Sequence, residues 1–130
     1  MFIDEMVNQG ATPAIEQTLK FTTARQRLLE EDVANISTPD YVQKDLSVSK
    51  FQSALRERLA AAGDAPRGQD LGDLGVDAEN PRNSIMFHDG NNRSVEELMS
   101  SGMKNAMMHN LMIELLKKQF ATMELALQQK

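Results

Sequence analysis

Apolar residues recur along two long stretches of the chain at the spacing of one helix face. From Pro13 to Ser37 there is no further glycine or proline, and Ile15, Thr22, Leu29 and Ile36 recur every seven residues. Leu19, Gln26 and Val33 form a second row offset by four, which Ala24 and Leu28 widen. Thr12-Pro13 opens the stretch with a hydroxyl at the N-cap and a proline at the first helical position, where its missing N–H costs nothing. The pattern predicts a helix that stops before Thr38 and is roughly 35 Å long at 1.5 Å per residue. A second helix is predicted from Val95 to Gln129, opened by a capping box of Ser94 and Glu97. One of its rows reads Met99, Ala106, Ile113, Phe120 and Leu127, and its companion reads Gly102, His109, Leu116 and Met123. Met103, Met108, Leu111, Met112, Leu115 and Leu125 carry the apolar surface well beyond those rows, further than one partner helix can cover. Between the two long segments, Val42, Leu46, Val48, Phe51, Leu55 and Leu59 mark a mixed stretch that reads as helical from Ser49 onward.

The apolar pattern lapses between Gly63 and Asn92, which hold five of the seven glycines, two of the four prolines and six acids against two arginines. Such a stretch cannot bury enough apolar surface to offset the entropy of ordering it, so it reads as an extended or disordered loop. A single all-α domain follows. Its parts are residues 1–62, holding the first helix, a turn and the following helical segment, then the 63–92 loop, then the 93–130 helix. The two long helices pair as a coiled-coil-like hairpin. Two unequal helices joined by such a loop make a poor core for a lone molecule, and the methionine-rich flank of the last helix calls for cover by other chains.

The 130 residues carry a formal charge of -5, from 19 acids against 14 bases, which disfavours the phosphate-neutralising surface of a nucleic-acid binder. There are no cysteines, so disulfides, thiolate metal sites and cysteine nucleophiles are excluded. No apolar run approaches the ~20 residues of a membrane span, and the acidic N-terminus lacks the form of a cleavable secretory signal. His88 and His109 have no acid or histidine at a ligand spacing, and Asp70, Asp73, Asp77 and Glu79 lack the order of a calcium loop. No phosphate-binding glycine motif and no nucleophile elbow occurs. Neither a catalytic constellation, a cofactor site nor a metal site is expected. Nine methionines, five of them between Met99 and Met112, read as packing in a helical assembly in preference to a peptide groove or a membrane-surface helix.

The most specific local signal is the run Asp32-Val33-Ala34-Asn35-Ile36-Ser37-Thr38-Pro39-Asp40-Tyr41. Pro39 drives the residue before it out of the helical region, so the chain turns at Thr38-Pro39-Asp40-Tyr41. Asn35 is placed to cap the departing helix or the turn, and the turn folds the ring of Tyr41, the sole tyrosine, back on the helix.

This decapeptide resembles the N-terminal signature of the bacterial flagellar axial proteins, approximately N-[IV]-A-N-x-x-T-P-G-Y. Val33, Ala34, Asn35, Thr38, Pro39 and Tyr41 match in place. Asp32 stands where an asparagine is usual and Asp40 replaces the glycine, a position where aspartate tolerates a left-handed backbone better than most residues. Asn91-Asn92 ahead of Glu96-Glu97-Leu98-Met99, with Asn105 and Phe120 further on, is similar to the start of the C-terminal helix in short rod proteins of the proximal, FlgB type. The resemblance covers about residues 12 to 50 and 88 to 128.

It implies a non-enzymatic structural subunit of the flagellar basal body, part of the proximal rod that transmits torque across the periplasm. The implied partners are copies of itself, other rod proteins, the rod-to-MS-ring junction protein with the MS ring, and the flagellar type III export apparatus, which would carry the chain out without a cleavable signal. Neither nucleic acid nor membrane insertion is expected. Contacts between helices fall to Ile15, Leu19, Leu29, Val33, Met99, Ala106, Ile113, Leu116, Phe120 and Met123, and the turn aims Val42 to Leu59 across a neighbouring subunit. The rival reading is a soluble cytoplasmic helical adaptor or secretion chaperone, a discrete oligomer whose size does not change with concentration.

Overall fold

The computed structural model describes residues 12–63, 78–79 and 95–129. These are predominantly helical, in agreement with the all-α class expected. Helix α1 spans Thr12–Ala34, a two-residue strand β1 spans Asp45–Leu46, α2 spans Val48–Gly63, β2 spans Ala78–Glu79 and α3 spans Val95–Gln128. The strands pair antiparallel, Asp45 opposite Glu79 and Leu46 opposite Ala78, which ties a short piece of the glycine-rich stretch beside α1. The capping serine proposed at position 94 and the rest of that stretch lie outside the described residues.

Among the described elements the largest contact is α1 against α3. The two run in opposite directions: Gln26 reaches Asn105, while Thr22, one turn earlier in α1, reaches Asn105 and His109, one turn later in α3. At 1.5 Å per residue, α3 continues for about ten residues past the level of Thr12. Phe120 and Leu127 are exposed there.

On its other flank α1 carries the small apolar core. Phe21, Leu46 and Phe51 are buried together, with Leu28, Val48 and Leu55 packed around them. The rings of Phe21 and Phe51 stack at 4.2 Å between centroids and 11° between planes. This stack locks α2 to α1, and position 21 belongs to neither row read from the sequence. The Ser47 hydroxyl accepts from the Lys50 amide at 3.3 Å, capping α2 one residue earlier than expected. A two-pronged ion pair holds β1 against α1: Arg25 Nε donates to Asp45 Oδ1 at 2.9 Å and its terminal nitrogen to Oδ2 at 3.0 Å. Both groups are mostly buried, so this pair fixes geometry more firmly than an exposed one would.

One expectation is corrected: Thr12 does not cap α1 with its hydroxyl, which is buried with no hydrogen-bond partner among the described residues. The helix ends at Ala34, before Thr38 as expected. Its last turn loosens into shorter bonds, Ile36 N–H to the Val33 carbonyl at 3.3 Å and Thr38 N–H to the Asn35 carbonyl at 2.9 Å.

Candidate assembly surface

Two features stand out: the turn that ends α1, and the apolar surface of α3. In the turn, Asn35 takes both roles open to it. Its side-chain amide donates to the Glu31 carbonyl at 2.9 Å, satisfying a helix-end acceptor, and its Oδ1 accepts from the Thr38 hydroxyl at 3.2 Å. The Tyr41 N–H closes the turn on the Thr38 carbonyl at 3.3 Å. Asp40 has φ of 59°, the left-handed conformation that glycine adopts freely. Proline at the second position and positive φ at the third are the signature of a type II turn.

Tyr41 folds back as expected, and the group it meets is Asp32. Its hydroxyl donates to Asp32 Oδ1 at 3.1 Å, and the Lys44 amide donates to the same oxygen at 3.0 Å. Asp32 is 1% exposed, and its other carboxylate oxygen has no partner among the described residues. Burial raises its pKa above the ordinary 3.8, and the charges of Asp45 and Glu31 add to that, while the Lys44 and Tyr41 bonds hold it down in part. Tyr41 is pushed up to about 12 by burial and then by its bond to Asp32.

Both shifts are upward, so both contributions are lost as pH rises, over different ranges of the pH scale. Asp32 binds its proton more tightly folded than unfolded, so its contribution to stability is largest below about 3.8 and is lost as pH rises through the folded value. Tyr41 contributes below pH 10 and loses that contribution as pH rises through about 12. Asp32→Asn keeps the shared acceptor oxygen and removes the buried charge. It is expected to stabilise the fold at neutral pH by about 1 kcal/mol and to abolish the gain on acidification. An absorbance titration of the sole tyrosine checks the geometry, since its pKa should fall toward 10 in the variant.

On α3 the residues facing α1 lie one position earlier than the expected row. Leu98 and Asn105 are its buried residues, and Met112 and Gln119 continue that line half-buried, alongside His109 and Leu116 of the companion row; Met123 of that row is half-buried beyond the level of Thr12. Polar matching sets this phase. Asn105 Nδ2 donates to the Thr22 carbonyl at 2.9 Å and to Gln26 Oε1 at 3.1 Å, and Thr22 Oγ1 lies 2.8 Å from His109 Nδ1. The polar residues that interrupt the α1 rows, Thr22 and Gln26, therefore select polar partners and rotate Ala106 outward.

Of the residues expected at helix contacts, Ile15 and Leu29 are buried, and Leu19, Ile113, Leu116 and Met123 are half-buried. Val33, Met99, Ala106 and Phe120 are exposed. Met99, Met103 and Met107 are each 67% exposed, and with Val95, Leu111 and Leu115 they form a stripe at four-residue spacing that winds slowly around α3. The stripe runs into an open groove of about 610 Å³ between α2 and α3, floored by Thr18 and walled by Val48, Phe51, Leu55, Met107, Met108 and Leu111. Its lining is almost wholly apolar, so it lacks the convergent polar groups by which small-molecule sites orient a ligand.

Among the described residues no helix is long and apolar enough to cross a membrane, and no cluster of acids or histidines could hold a metal ion. His88 lies outside those residues. No protein-family model matches the chain, and the search of curated proteins finds no significant relative.

Proposed function

We propose that this chain is a non-enzymatic structural subunit that assembles through its long helices, and that the assembly is the proximal rod of the bacterial flagellar basal body. The observation that carries the first half is the bare apolar length of α3. Among the described residues twelve large apolar side chains are exposed and six apolar ones are buried, a ratio that suits a subunit finished by its neighbours. The second half rests on the turn, where the residues matching the axial-protein signature perform mutually dependent roles. Asn35 holds Thr38, Asp40 takes the glycine conformation, and Tyr41 returns to the helix at Asp32, where the signature has asparagine.

In this reading the α1–α3 pair is the coiled-coil-like hairpin of the rod's inner layer, and the stripe on α3 meets copies of the chain and other rod proteins. Heterologous contacts of that kind do not close on themselves and build a tube. Export through the flagellar type III apparatus suits a subunit with a small core, and the junction protein and MS ring bound the rod below.

The test is to tag the chain in its native host and isolate basal bodies. The expected result is recovery of the chain in the rod fraction, with Phe120→Asp abolishing both incorporation and motility. Phe120 is 51% exposed, so the substitution leaves the monomer folded. Absence of the wild-type chain from basal bodies overturns the rod, and normal incorporation of the variant overturns the role of that face. A fixed, concentration-independent oligomer in solution would point to the adaptor.

A further inference from the structure

No charged residue lines the groove between α2 and α3, so what covers it must do so with apolar side chains. Its floor, Thr18, lies six residues into α1 from Thr12. Because α1 and α3 run in opposite directions, the Leu111–Met112 end of the groove is the end nearer the start of α1. Residues 2–9 precede α1 and lie outside the described residues. On a helix, Phe2, Ile3, Met6 and Val7 fall within an arc of about 140°, and Asp4, Glu5, Asn8 and Gln9 fall outside it. Eight residues do not hold a helix alone in water, so this one forms only against a surface. Its length would be about 12 Å, against about 10 Å for the α2 wall from Val48 to Leu55.

We propose that residues 2–9 fold back as a short helix and occupy the groove of the same molecule, with Met6 and Val7 at the Leu111–Met112 end and Phe2 and Ile3 toward Met107 and Met108. The link is long enough. Thr18 is about 9 Å along α1 from Thr12 and packed helices lie about 9 Å apart, a path of about 13 Å, whereas the five Cα steps from Val7 to Thr12 span at most roughly 17 Å. Gly10 lets that link double back. So short a tether holds the segment at the groove at millimolar effective concentration, ahead of a separate chain of equal affinity. Methionine walls adapt to the shape of what enters. The inference concerns one molecule in solution and does not rest on the rod reading.

The chain has no cysteine, so a pair introduced into the full chain reports proximity by disulfide formation under oxidised glutathione. Two pairs are compared: Met6→Cys with Leu111→Cys, in the groove, and Met6→Cys with Leu125→Cys, outside it. Since α3 continues about ten residues past the level of Thr12, Leu111 and Leu125 lie at similar distances from the tether, one on each side. They are 56% and 60% exposed, so neither substitution disturbs the fold. The groove pair should close about tenfold faster than the outer pair, within one chain, at a rate that neither protein concentration nor salt changes. In urea the two rates should converge. Adding Ile3→Asp to the groove pair should remove its advantage, while Asp4→Ser, on the polar side of the segment, should keep it.

Equal rates for the two pairs in the folded chain overturn the docking. A groove pair that closes between chains, faster as concentration rises, overturns the own-chain occupant in favour of a second copy. An unchanged rate with Ile3→Asp overturns the insertion of apolar side chains. Because the assay needs no basal body, a failure here is distinct from a failure of the rod reading: recovery of the chain in rods and closure of the groove pair are read separately.

Discussion

Phe51→Ala is expected to remove most of the stability of the fold. The substitution removes a fully buried ring, with a cost of about 3–5 kcal/mol for the lost transfer energy and the cavity left behind. It also ends the stack on Phe21, worth about 0.5–1.5 kcal/mol beyond area burial. Among the described residues none nearby is well placed to collapse into the space, since Leu46 is held by the β1–β2 pair and Val48 and Leu55 border the open groove. With six buried apolar side chains among the described residues, a stability toward the low end of the usual 5–15 kcal/mol is expected, so this single loss takes most of it. Urea denaturation followed by circular dichroism checks the prediction. A midpoint within a small fraction of the wild-type value would mean that the α1–α3 contact, and not the phenylalanine pair, holds the monomer together.

The marginal core and the bare face of α3 are linked. A helix of 34 residues is about 51 Å long, yet α1 covers one side of it over roughly two thirds of that length. The rest of its apolar surface is worth about 25 cal/mol per Å² only when something else removes it from water. In the assembly proposed above, covering that surface would contribute to the folding of each subunit as well as to the contact between subunits.

The sequence made the helices and the turn legible because their signals are local. Periodicity located α1 and α3, Pro39 located the turn, and Asn35 was recognisable as a cap because its side chain bonds within four residues. The phase of α3 was not legible. Two seven-residue rows one position apart, Leu98-Asn105-Met112 and Met99-Ala106-Ile113, are both apolar enough to face a partner, and the choice between them depends on Thr22 and Gln26, about eighty residues away. Phe21 was passed over for a related reason. It shares a row with Ala14 and Leu28, a signal that was present, but that row faces α2 and β1, and an argument built on one helix pair has no use for a second face. The Arg25–Asp45 pair and the strand at Ala78 are long-range matters that no local pattern encodes.

Asn105→Asp offers the sharper test of what sets the register of α1 and α3. The substitution changes the shape of the side chain hardly at all and exchanges two N–H donors for an oxygen. Asn105 is 2% exposed, and its Nδ2 faces only acceptors, the Thr22 carbonyl and Gln26 Oε1. A carboxylate there is buried, unpaired and set against two oxygens, an arrangement expected to cost about 3–5 kcal/mol at neutral pH. Asn105→Ala, which removes the side chain and leaves a small cavity, should cost only about 2–3 kcal/mol, because the Thr22 carbonyl keeps its place in the α1 ladder and Gln26 can turn to water. The isosteric variant is thus predicted to be the less stable of the two. Its defect should also depend on pH: burial raises the pKa of the new carboxyl, so the protonated form can again donate one bond, and stability should recover as pH falls through that raised value, the recovery being complete below the ordinary carboxyl pKa. If the aspartate variant were as stable as the alanine one at neutral pH and showed no recovery in acid, the Asn105 bonds would be incidental and the phase of α3 would have to be set by its apolar rows.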